Sequence, residues 1–458
     1  MSRKVYLGIF GFLLFIGGLY MVLKSNHYLE SKDSQVEYVR INDVDVPLIF
    51  EQSDLLPVGE IRLVFQGAGS MYDAINAKDV IANPKNTKEA KAGLANLASG
   101  LLNEGTYTLG NIAFADKLES KAITLNVGSG MQTLSFELSF LKEQQDFALS
   151  CLVDLLKDPN ITQESLAKLK DITKATILRK ENDFDYVAHT NLDAIFFENT
   201  PMEYPSMGDI ASVDSITLED IEQYLRQNLV LNRLIIVAGG DMQQQELKDQ
   251  LTKELSFLPV GTKVAKPSIT PRKTPKEIVV TKQTQQAYIH FASPFYAKTT
   301  ENYKTKVMSF VLGSSGFGSR IMEEVRVKRG LAYSAYFSIT GGSDVVNYGV
   351  GYLQTGLDSK DEALKVVQEV MQEFVSNGIT QDELDSAKAF ILGSEPLGEE
   401  TLSQRLQAKF MNYMRNMPLD SHKQDIAKIS HLSLKEMNEF IAKHPEILQL
   451  SVSIVQDK

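Results

Sequence analysis

Two helix starts in this 458-residue chain are nearly the same phrase written twice. Ile161-Thr162-Gln163-Glu164 opens one long helical pattern, and Ile379-Thr380-Gln381-Asp382 opens another 218 positions later. A second pair follows suit. Ser215-Ile216-Thr217-Leu218-Glu219 and His431-Leu432-Ser433-Leu434-Lys435 each start a helix that leads into a late strand, Leu234–Val237 and Leu448–Val455. A repeat of this length is far too long for a solenoid and predicts a duplicated α+β domain. The chain is long enough for two independent cores. Pro259, Pro267, Pro271 and Pro275, with several lysines, mark an interdomain linker over 259–276. The domains are then 26–258 and 277–458.

Within the first half, alternation runs from Val36 and Tyr38 towards Phe50, and Ile61–Phe65 is a strand entering Gly67-Ala68-Gly69-Ser70. Residues 73–92 are polar, contain Pro84, and read as an inserted loop. Leu94, Leu97, Ala98, Leu101 and Leu102 form an apolar helical stripe. Leu134, Phe136, Leu138 and Phe140 alternate as a half-buried strand, followed by helices over 144–157 and 162–181.

The N-terminus begins differently. Val5 through Leu23 is uncharged for 19 residues, between Arg3-Lys4 and Lys24. At about 1.5 Å per residue it reaches roughly 28 Å, close to a bilayer core of about 30 Å. A cleaved signal peptide would end in small residues, whereas this run ends Leu19-Tyr20-Met21-Val22-Leu23-Lys24. The expectation is a retained single-pass anchor over 1–25. Its basic flank stays in the cytoplasm, and the bulk of the chain lies beyond the inner membrane, in the periplasm. The formal charge of -11 disfavours nucleic acid as a partner.

The second half carries Gly313-Ser314-Ser315-Gly316-Phe317-Gly318-Ser319-Arg320, then Glu323-Glu324-Val325-Arg326-Val327-Lys328-Arg329-Gly330-Leu331-Ala332-Tyr333. Glycines loosen a turn into a short amphipathic helix, with Ser319 as N-cap, Glu324 and Lys328 at i,i+4, and Gly330 at the C-terminal end. Tyr333–Ile339 reads as a strand. The glycine spacing matches neither phosphate-loop pattern. Arg326 could pair with Glu323, and Tyr333 could be a packed strand aromatic; alternatively, both could point at one spot.

This segment resembles the C-terminal domain of the insulinase family of zinc peptidases, which includes the mitochondrial processing peptidases and pitrilysin. The resemblance implies two similar domains, each a mainly antiparallel sheet packed with helices, facing across a cavity. It also implies that Arg326 and Tyr333 contact substrate near the cleaved bond. The family's H-x-x-E-H should follow Gly-Leu-Ala and precede Gly-Thr. Here Gly93-Leu94-Ala95 and Gly105-Thr106 frame Asn96, Ser99 and Gly100 at those places. An amide, a hydroxyl and a glycine are not a zinc ligand set. The family's third ligand would fall near Ala175–Arg179, where there is no carboxylate; Glu181 lies just beyond. His27, His189, His290, His422, His431 and His444 show no tight pairing, and Cys151 is the only cysteine.

The expectation is therefore a peptidase-family chain without catalytic residues or catalytic metal of its own, inactive alone. It would complete a heterodimer whose H-x-x-E-H-containing subunit holds the zinc, with a peptide or unfolded protein as substrate. The alternatives are a non-enzymatic scaffold that keeps the peptidase fold and, less favoured, a lone peptidase with an unrecognised metal site.

Overall fold

The computed structural model describes residues 35–73, 91–267, 269–340 and 345–458. The Val5–Leu23 run and residues 74–90 of the inserted loop lie outside them. No helix among the described residues is long and apolar enough to cross a membrane.

The first domain is built on a six-stranded sheet. Its strands are β1 (Glu37–Ile41), β2 (Val44–Gln52), β3 (Val58–Gln66), β4 (Thr124–Ser129), β5 (Thr133–Leu141) and β6 (Leu234–Gly240), in the order β1-β2-β6-β3-β5-β4. The second sheet contains β7 (Glu277–Thr281), β8 (Gln286–Pro294), β9 (Ala332–Ile339), β10 (Tyr348–Gly356) and β11 (Ser451–Gln456), in the order β7-β11-β8-β10-β9. With β1 set aside, the two orders are the same. Each sheet has a single parallel pair in the same place, β2 with β6 and β7 with β11. The architecture is two α+β domains, each a largely antiparallel sheet with helices.

The alternation over 36–50 is two strands, not one. Asn42 and Asp43 both adopt positive φ, 44° and 63°, and turn β1 back onto β2. This is the two-residue hairpin geometry that Asn and Asp tolerate. A period of two cannot register such a turn when both of its residues are polar.

Each domain covers its own core. The stripe Leu94, Leu97, Ala98, Leu101 and Leu102 is buried against β3 and β5 residues such as Phe65 and Phe136. Phe291, Phe337, Phe374 and Ile441 anchor the second core. The helices divide their labour differently. In both domains the third helix after the long hairpin crosses to the other domain's sheet.

Leu402–Met414, from the second domain, lies on β2 and β6. There Leu406 and Met414 share a buried cluster with Ile49, Val64, Ile235 and Val237. Arg62 donates to Gln407 Oε1 at 2.7 Å and Ser403 Oγ at 2.8 Å. Glu51 takes Arg405 and, at 2.9 Å, Lys409. Burial pushes the Glu51 carboxyl up, but the two cations outweigh it and hold it below its ordinary value.

The reciprocal helix, Phe184–Phe196, lies on β8 and β11. Phe184 meets Tyr288 edge-on with ring centroids 5.7 Å apart, and Asp185 Oδ1 is 2.9 Å from His290 Nε2. Leu192, Ile195, Phe196 and Phe197 pack with Ile269 and Ala292. Burial holds the His290 imidazole below its ordinary value despite Asp185. The same burial pushes the Asp193 carboxyl up to about 6, against the pull of His189.

The described residues of 259–276 carry no helix or strand, yet hydrogen bonds tie them to both domains. Leu231 N donates to Pro259 O at 2.9 Å, and Arg272 reaches the carbonyls of Ile195 and Phe196.

Truncating Leu406, fully buried between the domains, to alanine is expected to cost about 2–5 kcal/mol in urea unfolding. Leu55→Ala, at a site 82% exposed, should stay within about 0.5 kcal/mol.

Candidate functional site

The helix Leu94–Leu102 occupies the frame of the family's zinc motif and is held from both ends. At its start the buried Asp73 carboxylate accepts from Gly93 N at 2.9 Å and Ala95 N at 3.0 Å, capping the helix from across the insertion. Burial pushes the Asp73 carboxyl well above its ordinary value, while these backbone N–H groups pull it back. At the other end Asn103 exchanges two hydrogen bonds with the backbone of Val127 on β4, at 2.7 and 2.9 Å. Lys168 reaches Glu104 at 2.7 Å.

Nothing on this helix fits zinc. Ser99 is buried and donates to Asn96 O at 2.9 Å, with Ser129 Oγ 3.3 Å away. A Cβ added at Gly100 would lie 3.3 Å from Leu169 Cδ1, so the direction an imidazole would take is filled by an aliphatic side chain. Leu169 comes from the helix Gln163–Lys180. The neighbour of Gly100 is thus not in the expected third-ligand window Ala175–Arg179, which begins six residues, or about 9 Å, further along that helix. Amide, hydroxyl, glycine and leucine cannot act as a hydrolytic metal centre.

Arg326 and Tyr333 are brought together. Arg320–Met322 begins the helix, and Glu323–Lys328 continues it as a wider π turn, a form often found at functional positions. Gly330 N closes on Arg326 O at 3.0 Å with Gly330 at φ +63°, as the sequence suggested. Glu324 and Lys328 pair at 2.6 Å. Ser319 does not cap the helix with its side chain; its Oγ donates to Gly316 O at 2.7 Å. Gly316 and Gly318 have φ of +70° and +93° and open space around them, so they serve the left-handed backbone rather than close packing.

Between those glycines stands Phe317, which the sequence reading left unassigned. The Arg326 guanidinium carbon is 4.8 Å from the Phe317 ring centroid and 4.9 Å from that of Tyr333. Phe317 is 69% exposed and Tyr333 is 74% exposed. Tyr333 is therefore not a packed core aromatic. Arg326 makes no ion pair with Glu323 among the described residues; Glu323 Oε1 accepts from Gly318 N at 3.3 Å instead. The result is a cation set over two exposed rings. Its N–H groups have no hydrogen-bond acceptor among the described residues. Among the described residues no hydrogen bond, ion pair or ring contact joins this cluster to Asn96, Ser99 or Gly100.

The purified full chain is expected to cleave no fluorogenic peptide, with or without added zinc. Chelator-sensitive turnover by the chain alone would revive the lone-peptidase reading.

Two family descriptions match: "Insulinase (Peptidase family M16)" over residues 85–210 and "Peptidase M16 inactive domain" over residues 215–391. A Helicobacter pylori protein named non-peptidase homolog YmxG is 41% identical over 427 residues, covering 93% of this chain and 95% of that protein. A Bacillus subtilis protein named uncharacterized zinc protease YmxG is 23% identical over 352 residues, covering 76% and 84%. The crystal structure of a peptidase M16 inactive domain from Pseudomonas fluorescens superposes with a TM-score of 0.81 at 23% identity, covering 93% of this chain and 98% of that one. Sequence similarity along nearly the whole length, the shared fold and the framed but altered motif agree: the chain belongs to the insulinase, or M16, peptidase family.

Proposed function

We propose that this chain is the non-catalytic subunit of a heterodimeric M16 metallopeptidase. The partner carries H-x-x-E-H and the zinc. This chain supplies half of the peptide-binding cavity and presents Arg326 and Tyr333 to the substrate. The observation that carries the reading is the exposed Arg326 stack, whose guanidinium N–H groups have no acceptor among the described residues. A guanidinium and a phenol are donors suited to a peptide carbonyl oxygen as it gains charge. They contain no nucleophile and no general base, so they assist chemistry that other groups perform. Contacts with the Phe317 and Tyr333 rings hold the guanidinium in place in advance, which is what makes such a donor effective.

The anchor belongs to the same proposal. The uncharged Val5–Leu23 run supports a single-pass helix in the inner membrane, with the two domains in the periplasm. A non-enzymatic scaffold is the second reading, and the name of the Helicobacter relative, non-peptidase homolog, suits it equally.

In the purified complex, Arg326→Ala or Tyr333→Phe should leave assembly intact and lower turnover by about 10²–10³-fold, or roughly 3–4 kcal/mol. The loss should fall mainly on kcat, because the contact strengthens in the transition state. Unchanged turnover in both variants, with the complex intact, would reject the shared site and leave the scaffold. Membrane fractions should yield the chain with its N-terminus intact. A mature N-terminus near residue 25, released by osmotic shock, would identify a signal peptide instead.

A further inference from the structure

The helix Leu402–Met414 leaves its own domain, and the chain that enters it and the chain that leaves it come together at one place. It is entered from the helix Gln381–Gly398, which carries Glu395 in its last turn and is followed by Glu399. It is left into the helix Ser421–His431, whose second residue is His422. One ligand atom from each of Glu395, Glu399 and His422 lies within 4.8 Å of the other two, a convergence found for no other such trio among the described residues. His422 Nε2 contacts Glu399 Oε1, and His422 Nδ1 lies 3.4 Å from Nδ2 of the buried Asn412, which orients the ring. Arg405 donates to the backbone carbonyl of Glu399 at 2.9 Å, tying the cluster to the crossing helix itself. The Glu395 carboxylate makes no hydrogen bond or ion pair with the described residues, and His422, Lys306 and Lys423 act on it only through their charge.

Among the described residues the first domain has no such trio. Where its helices Gln163–Lys180 and Ile210–Ser215 meet, Lys170 donates to Asp214 O at 2.8 Å, and the second domain repeats that contact with Lys388 on Ser430 O at 3.3 Å. Glu395, Glu399 and His422 stand at the opposite end of the helix Ser421–His431, where Lys423 lies 3.9 Å from Glu399 Oε2.

We propose that Glu395, Glu399 and His422 form a divalent-cation site, of the borderline class that zinc represents, closing the base of the cross-domain helix. Two carboxylate oxygens and one imidazole nitrogen are donors zinc accepts, and water completes four-coordination. Arms of about 2 Å place ligand atoms roughly 3.3 Å apart. Half-exposed glutamate side chains at the end of a helix reach that spacing from within 4.8 Å by rotating. The metal displaces the contact between Glu399 and His422 and binds the neutral imidazole through Nε2, so that a proton on that nitrogen passes to Nδ1 or, from the imidazolium, to water. This cluster stands apart from the altered motif at Asn96, Ser99 and Gly100. Its consequence is mechanical: a bound ion pins both ends of the segment that braces one domain on the other.

The purified full chain, stripped with chelator and dialysed, is titrated with zinc chloride by calorimetry and followed by thermal melting. One zinc per chain should bind and raise Tm saturably. Glu395→Gln is the deciding variant because it leaves the contact between His422 and Glu399 in place. It should keep the metal-free Tm and bind zinc at least about tenfold more weakly, and His422→Ala should weaken binding at least as much. If zinc uptake does not saturate at one per chain, or Glu395→Gln binds it as the native chain does, the trio is a plain histidine–glutamate contact and the proposal fails.

Discussion

The exchange of one helix between the two domains is the contact on which the rest of the structure rests. Each sheet has one face covered by its own helices and the other partly covered by a helix from its sister. Were the helices withdrawn, Ile49, Val64, Ile235 and Val237 on one sheet would meet water. So would Ala292 on the other, along with Leu192, Ile195 and Phe196 of the helix. Fully burying an aliphatic side chain is worth about 1.5–3 kcal/mol, so neither domain is independent of the other. The polar contacts fix register. Glu51 finds its cations on the crossing helix, and Arg62, paired with Glu60 on its own strand at 3.1 Å, adds Gln407 and Ser403 there. An isolated first domain would leave Glu51 to solvent and Arg62 with Glu60 alone.

That mutual bracing explains how a peptidase fold survives without peptidase residues. The helix Leu94–Leu102 is positioned by Asp73 at its start, Asn103 on β4 and a buried leucine stripe. None of those holds depends on a metal. Replacing ligands by Asn96, Ser99 and Gly100 leaves a helix whose polar groups are answered locally, with Ser99 bonded to its own backbone. Leu169 packs into the place beside Gly100. Burying an aliphatic group there stabilises the helix pair, where a lone unligated carboxylate would cost free energy.

What the sequence disclosed followed physical range. Helix starts were legible because their signals are local: Thr162 accepts from Ser165 N, and Thr217, Thr380 and Ser433 each close a capping box. Those repeated caps revealed the duplication. Which sheet a helix covers was not legible, since the apolar stripe of Leu402–Met414 would suit either domain. The hairpin at Asn42–Asp43 was lost inside an alternating pattern. Leu169 beside Gly100 and the approach of His422 to Glu395 depend on packing between elements, which no spacing of residues announces. Phe317 looked like an incidental residue in a glycine loop because its partner, Arg326, lies nine positions away through an irregular π turn.

Two arginines on that one segment show why Arg326 calls for an explanation from outside the chain. Arg320 also lies over an aromatic ring, with Phe374 5.2 Å from its guanidinium carbon. Its N–H groups, however, go to both oxygens of Glu383, at 2.6 and 2.7 Å, and to Gly378 O at 2.9 Å. Arg320 is a structural arginine, fixing the short helix to its neighbour. Arg326, six residues on, lies over two rings and has no acceptor for its guanidinium among the described residues. An exposed cation–π contact contributes only about 0.5–1 kcal/mol, and the two rings it holds stand largely in solvent. Folding gains little from such an arrangement. A preorganised donor that the chain's own acceptors do not engage is a group shaped for a ligand. Under the proposed function, backbone carbonyls of a bound peptide are the acceptors that match it.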